Sequence, residues 1–156
     1  MTGTVAEGSK APGFSIPTDE GTNATLESYG GAPLVLYFYP KDDTSGCTRE
    51  ALDFSALSDA FADTGAAILG VSPDSVEKHA KFRKKHDLSV ALGADESKQV
   101  LEAYGVWVEK SMYGRKYMGV ERSTFLIDAN GVIRKVWRKV KVAGHAEQVL
   151  AAVREL

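Results

Sequence analysis

The sequence contains one cysteine, Cys47. It closes the run Pro40-Lys41-Asp42-Asp43-Thr44-Ser45-Gly46-Cys47. A thiol can pack as a small hydrophobe, the usual fate of a free cysteine, or react as a thiolate with electrophiles and oxidants. Its neighbours Ser45, Gly46, Thr48, Arg49 and Glu50 are polar or small, whereas a core cysteine keeps apolar company. The run follows an apolar stretch of strand type and precedes residues at helical spacing, which puts Cys47 in the first turn of a helix. There the free backbone N–H groups and the helix dipole favour an anion. Such positions can lower a cysteine pKa from about 8.5 to between roughly 3.5 and 7.5. Thr44, three residues earlier, can aim its hydroxyl at the same point, and Gly46 lets the backbone approach closely. Pro40 supplies a rigid bend and an apolar wall.

A lone cysteine excludes an intrachain disulfide and any multi-cysteine zinc or iron–sulfur centre. His79, His86 and His145 lack metal-ligand spacing, since His79 and His86 lie about two helical turns apart. The segment Asp128-Ala129-Asn130-Gly131 lacks the later ligands of a calcium loop, and no phosphate loop or dinucleotide fingerprint is present. No cofactor and no metal is therefore expected. With 156 residues, 26% of them charged, and a formal net charge of -2, the chain suits one domain, residues 1–156, without a broad basic field for nucleic acid. No secretory signal and no membrane-length apolar run is visible, so a cytoplasmic protein that binds neither membrane nor nucleic acid is expected.

Several elements must position the thiol. Residues 34–39 form a continuous apolar run, as a strand covered on both faces would. Ala51, Phe54, Leu57 and Phe61 recur at helical spacing. Residues 66–71 and 90–92 are further strands, with a helix between them opened by a capping box of Asp74 and Glu77 and running to about His86. Val100 and Tyr104 mark a short helix. Residues 124–127 and 132–137 flank the turn at Asp128, which predicts an antiparallel hairpin. Val149, Val153 and Leu156 place a stripe on a last helix. The order β-α-β-α-β-α-β-β-α predicts an α/β three-layer sandwich, its mixed central sheet flanked by helices. Residues 107–121 fit neither period and are expected to form a surface loop at the mouth of the site, Trp107 or Tyr113 giving it apolar wall. Two basic groups stand out. Lys78, Lys81, Arg83, Lys84 and Lys85 suit a solvated helix face, with docking of an acidic donor protein as the sharper alternative. Lys110, Tyr113, Arg115, Lys116 and Tyr117 mix charge with aromatics, without a nucleic-acid-binding motif around them.

The run from Phe38 through Glu50 resembles the peroxidatic motif of peroxiredoxins, Pro-x-x-x-Thr-x-x-Cys, and in detail the bacterioferritin comigratory protein, or peroxiredoxin Q, subfamily. Matches at Gly70-Val71-Ser72-Pro73-Asp74-Ser75, Tyr104-Gly105-Val106-Trp107 and Arg122-Ser123-Thr124-Phe125-Leu126-Ile127-Asp128 extend it over nearly the whole chain. The resemblance implies a thioredoxin-like fold, which agrees with the sandwich above, and reduction of hydrogen peroxide and organic hydroperoxides by a thiol donor. It makes Cys47 the peroxidatic nucleophile, Thr44 a hydrogen-bonding partner of peroxide and thiolate, and Pro40 a shield. Arg122 supplies positive charge beside the sulfur, and Glu50, one turn past Cys47, orients Arg122. It leans to a monomer.

Many subfamily members carry a second, resolving cysteine, five residues after the first or on the following helix. Those places hold Leu52 and the stretch Lys81-Phe82-Arg83, and the family's proline before Gly-Cys is Ser45. Without an internal partner, oxidised Cys47 would remain sulfenic acid until an external thiol, from thioredoxin, glutaredoxin or glutathione, attacks it. The competing expectation is a redox sensor oxidised at Cys47 without turnover.

Overall fold

The computed structural model describes residues 5–156. Its centre is the strand β3 (Leu34–Phe38), buried along its whole length. Alternate side chains serve two cores: Leu34, Leu36 and Phe38 face one, Val35 and Tyr37 the other. Both faces of β3 are covered, so its sequence is continuously apolar. It pairs in parallel with β4 (Ala67–Ser72), which pairs in parallel with β5 (Ala91–Ala94). On its other side it pairs antiparallel with β8 (Ser123–Ile127), and β8 pairs antiparallel with β9 (Ile133–Trp137). The mixed sheet thus has the order β5-β4-β3-β8-β9.

One face of the sheet packs against α1 (Ser45–Ala56), α2 (Ser58–Asp63), α3 (Val76–His86) and α5 (His145–Arg154), through Phe54, Phe61, Phe82 and Val149 respectively. The other face is covered by helix and hairpin together. There α4 (Gln99–Ala103) and a short 3-10 turn at Glu27–Tyr29 are joined by the hairpin of β1 (Ser15–Pro17) and β2 (Asn23–Thr25). The glycines of the sheet make room for this packing. A Cβ on Gly70 would lie 2.6 Å from Cζ of Tyr37, whose ring crosses the neighbouring strand at that point.

Residues 107–121 are not a loop. They form the antiparallel ribbon β6 (Trp107–Met112) and β7 (Arg115–Val120), turned by Tyr113 and Gly114, both at positive φ. Val120 and Trp107 root the ribbon in the core, but its outer part faces solvent on both sides, so no alternation of apolar and polar residues marks it. Tyr113 is 98% exposed, at the tip of the ribbon. Three further expectations shift locally. The helical stretch after Cys47 breaks at Leu57 into α1 and α2. Ser75, not Asp74, caps α3, accepting from the N–H of Lys78. Leu156 lies beyond α5 and is exposed, leaving Val149 and Val153 to bury the stripe. Among the described residues no helix is long and apolar enough to cross a membrane.

Candidate active site

Chain direction brings the candidate residues together. Strand β3 ends at Phe38, and the chain runs through Pro40–Thr44 into α1, with Cys47 as the third helical residue. Because β8 is antiparallel to β3 and Ser123 pairs with Phe38, the start of β8 lies beside the end of β3. Arg122 is thereby delivered next to the loop. Its Nη2 donates to Cys47 Sγ at 3.2 Å, and its Nη1 donates to Glu50 Oε1 at 2.7 Å. Glu50 follows Cys47 by three residues and so shares its helix face. Gly46 leaves the space that the guanidinium needs, since a Cβ there would stand 3.2 Å from Nη2.

The ion pair is asymmetric. The Arg122 side chain is 17% exposed, whereas that of Glu50 is 1% exposed, and Glu50 Oε2 meets no protein donor. Burial pushes the Glu50 carboxyl up to about 7, only partly opposed by Arg122. Burial also works against the Arg122 charge, but the neighbouring Glu50 and Cys47 hold its pKa above the ordinary value. Arg122 therefore stays charged and Glu50 carries the penalty of the pair. Tyr37, stacked on Phe54 with centroids 4.8 Å apart, is pushed well up by burial and then by the nearby Glu50 and Cys47. These groups enclose Cys47, which is 2% exposed.

Thr44 is the N-cap residue of α1, but its side chain makes no capping bond. Its hydroxyl donates to the Lys41 carbonyl at 2.8 Å, so its hydrogen is not directed at Cys47. Two consequences follow. The oxygen lone pairs remain available to accept from an O–H, and the first-turn N–H groups of Gly46 and Cys47 stay uncapped, ahead of the first backbone bond from Thr48 to Thr44. Pro40 is half-buried at the start of the loop.

A family model described as the AhpC/TSA family matches residues 8–136. The chain belongs to the AhpC/TSA family. Peroxiredoxin Bcp of Bacillus subtilis is 48% identical over 153 residues, 98% of each chain. A putative peroxiredoxin bcp of Coxiella burnetii is 49% identical over 143 residues, covering 92% of this chain and 95% of the relative. Among solved structures, a serine-for-cysteine mutant of Xylella fastidiosa PrxQ superposes with a TM-score of 0.93 at 38% identity, covering 98% of each chain. A peroxiredoxin Q of Xanthomonas campestris gives 0.87 at 48% identity, covering 91% of this chain and 90% of its own. The chain is thus a peroxiredoxin of the Bcp/PrxQ kind, a thiol-dependent peroxidase with the thioredoxin-like fold of its structural neighbours.

In this peroxiredoxin, one group of positioning residues escapes a sequence reading. Asp42, inside the loop, accepts from the Tyr39 hydroxyl at 2.6 Å, and its other carboxylate oxygen lies 2.6 Å from His79 Nδ1. His79 Nε2 lies 2.9 Å from the Gly93 carbonyl, which can only accept, so Nε2 carries hydrogen. Asp74 accepts from the Asp42 N–H at 2.8 Å and the Ser72 hydroxyl at 2.7 Å. Asp42, Asp74 and His79 have metal-ligand chemistry and lie close together. Their ligand atoms are engaged in these hydrogen bonds, which latch the loop to β4 and α3. The partners are 32 and 37 residues apart in sequence, with no spacing signal to join them. His145 is likewise buried, its Nε2 2.8 Å from the Thr124 hydroxyl, and burial lowers its pKa to about 4.

Proposed function

We propose that this peroxiredoxin works by a one-cysteine cycle at Cys47, reducing hydrogen peroxide and organic hydroperoxides at the expense of an external thiol. The observation that carries the proposal is the Arg122 Nη2 donor 3.2 Å from the only sulfhydryl in the chain. In the first step the Cys47 sulfur attacks one peroxide oxygen. An S–O bond forms, the O–O bond breaks, and the departing oxygen takes up the proton given up by the thiol, leaving as water or alcohol. Sulfur is oxidised to sulfenic acid and the peroxide is reduced.

Lowering a thiol pKa from about 8.5 raises the thiolate fraction at neutral pH by about 30-fold at most, and a less basic sulfur is also less nucleophilic. The larger part of the acceleration must come from groups that hold the lengthening O–O bond. Arg122 and the open N–H groups of Gly46 and Cys47 are its donors, and Thr44 accepts from the peroxide O–H. Glu50 fixes the guanidinium, Gly46 admits it, and Pro40 limits water. Alkyl peroxide reduction is stated for the bacterioferritin comigratory protein of Xanthomonas campestris, in keeping with an organic substrate here.

Sulfenic acid is then resolved from outside. Leu52 is an exposed hydrocarbon side chain. Arg83 is tied to the Asp19 carboxylate and to the carbonyls of Leu88 and Val90. A donor thiol attacks Cys47, forming a mixed disulfide and releasing water, and a second thiol releases the donor disulfide and restores Cys47. Steady-state peroxide consumption with thioredoxin, glutaredoxin and glutathione tests the cycle. Turnover with at least one donor is expected; stoichiometric oxidation with none would instead make Cys47 a sensor.

A further inference from the structure

The structure divides the basic residues of α3 by what they face. Arg83 points to the β1–β2 turn at Asp19 and to the approach to β5. Lys78, Lys81 and Lys85 share the opposite helix face with Phe82 and line a cavity of about 220 Å³. Its other wall is Lys41, Asp42 and Asp43, part of the loop that leads to Thr44 and Cys47. Lys85 is committed to Asp43 at 2.7 Å, and His86 joins the same carboxylate at 2.9 Å. Lys41, Lys78 and Lys81 have no acidic partner among the described residues and are exposed. The two other acids on the wall are turned inward: Asp42 to Tyr39 and His79, Asp74 to Ser72 and the Asp42 N–H.

A solvated helix face does not account for this arrangement. Arg83 to His86 lie in the last turn of α3, where the dipole welcomes cations. Lys78 is the third residue of the same helix, near the end that repels them. Three free ammonium groups around an apolar floor at Phe82 make a site for a small organic anion.

We propose that this cavity binds the reducing thiol through its carboxylates, and that the donor is a small anionic thiol of the size and charge of a carboxylate-bearing tripeptide. The proposal rests on the one-cysteine cycle above. Asp43 and Cys47 are four residues apart, the last part of that path already helical, so the sulfur lies within roughly 10 Å along the chain. The attacking species is itself a thiolate, so the same positive field raises its local concentration and favours its charged form. Attack forms the S–S bond to Cys47 and expels the sulfenic oxygen as water, with the donor thiol and solvent supplying the protons.

The test separates the two half-reactions. One equivalent of peroxide oxidises Cys47, and its reduction by glutathione, neutral 2-mercaptoethanol and cationic cysteamine is followed in the parent and in a Lys78→Ala/Lys81→Ala variant. The variant should lose about tenfold or more of its glutathione rate, a modest steering effect, and keep its 2-mercaptoethanol rate and its peroxide rate within twofold. The parent's glutathione rate should also fall with added salt. Equal losses for all thiols, no loss, a loss confined to the peroxide step, or a loss confined to reduction by an acidic protein donor would each overturn the proposal. Binding of unreactive S-methylglutathione to reduced protein, read by NMR shifts of residues 41–43 and 78–85, provides an independent measurement. Binding lost in the variant supports the cavity, and absence of binding in the parent refutes it. Should no sulfenic acid form, the one-cysteine cycle fails, while S-methylglutathione still decides the cavity.

Discussion

Replacing Glu50 by glutamine separates what the carboxylate does for Arg122 from what its burial does to the fold. Its pKa is raised by burial from 4.5 to about 7. Across that interval the folded protein keeps a proton on Glu50 that the unfolded chain has released. The unfolded state then binds fewer protons, so stability falls as pH rises through the window and remains lowered above it. The displacement corresponds to about 3 kcal/mol at pH 8, of which about 1 kcal/mol is already present at pH 5. Glutamine is neutral throughout and keeps a carbonyl oxygen for Arg122. Its NH2 group would lie where Oε2 now meets no donor, a pH-independent loss of about 1–3 kcal/mol if it finds no acceptor. The unfolding free energy of the variant relative to the parent should therefore improve by about 2 kcal/mol between pH 5 and pH 8. Denaturant melts at several pH values measure that slope. The peroxide rate should move the other way, falling about tenfold at pH 8 as Arg122 loses its charged anchor. A stability difference that is flat across this range, or that favours the parent more as pH rises, would refute the reasoning.

Other substitutions probe the remaining contacts. Arg122→Met removes the donor to Cys47 and should slow the peroxide step by about 10²–10³-fold, as loss of a transition-state donor typically does. Stopped-flow oxidation, set beside the thiolate fraction from ultraviolet absorbance, checks it; a rate loss that follows thiolate fraction alone contradicts the role. Gly46→Ala puts a methyl 3.2 Å from Arg122 Nη2. The same assay should show about a tenfold slower step, while melts show less than about 1 kcal/mol of destabilisation. Gly70→Ala places its methyl 2.6 Å from the Tyr37 ring and should lose about 1–3 kcal/mol in denaturant melts through overpacking.

The legible parts of this molecule were those written in local pattern. Residues 34–38 announce a central strand because both faces are covered, and Asp128 announces its turn because its side chain accepts from the Asn130 and Val132 N–H groups nearby. The motif ending in Cys47 singles out that sulfur, and the resemblance adds Arg122 and Glu50, which the fold brings into contact with it and with each other. What stayed hidden depends on distant partners or exposed surfaces. The β6–β7 ribbon carries no alternation because most of it has no buried face. The latch from Asp42 to His79 and Asp74 joins residues brought together only by the parallel pairing of β3 with β4. Thr44 was expected to direct its hydroxyl at the sulfur, but the Lys41 carbonyl, three residues back, takes that hydrogen. The basic cluster of α3 read as one feature, and only the helix geometry separates Arg83 from the lysines of the cavity.

The proposed cycle turns on Cys47 being oxidised to a sulfenic acid that awaits an outside thiol. Intact-mass spectrometry of protein treated with one equivalent of hydrogen peroxide and then dimedone tests it most directly. One dimedone adduct per chain is expected, located at Cys47 and abolished by prior addition of a reducing thiol. A free Cys47 thiol after peroxide treatment, or a disulfide-linked pair of chains in place of the adduct, would contradict it.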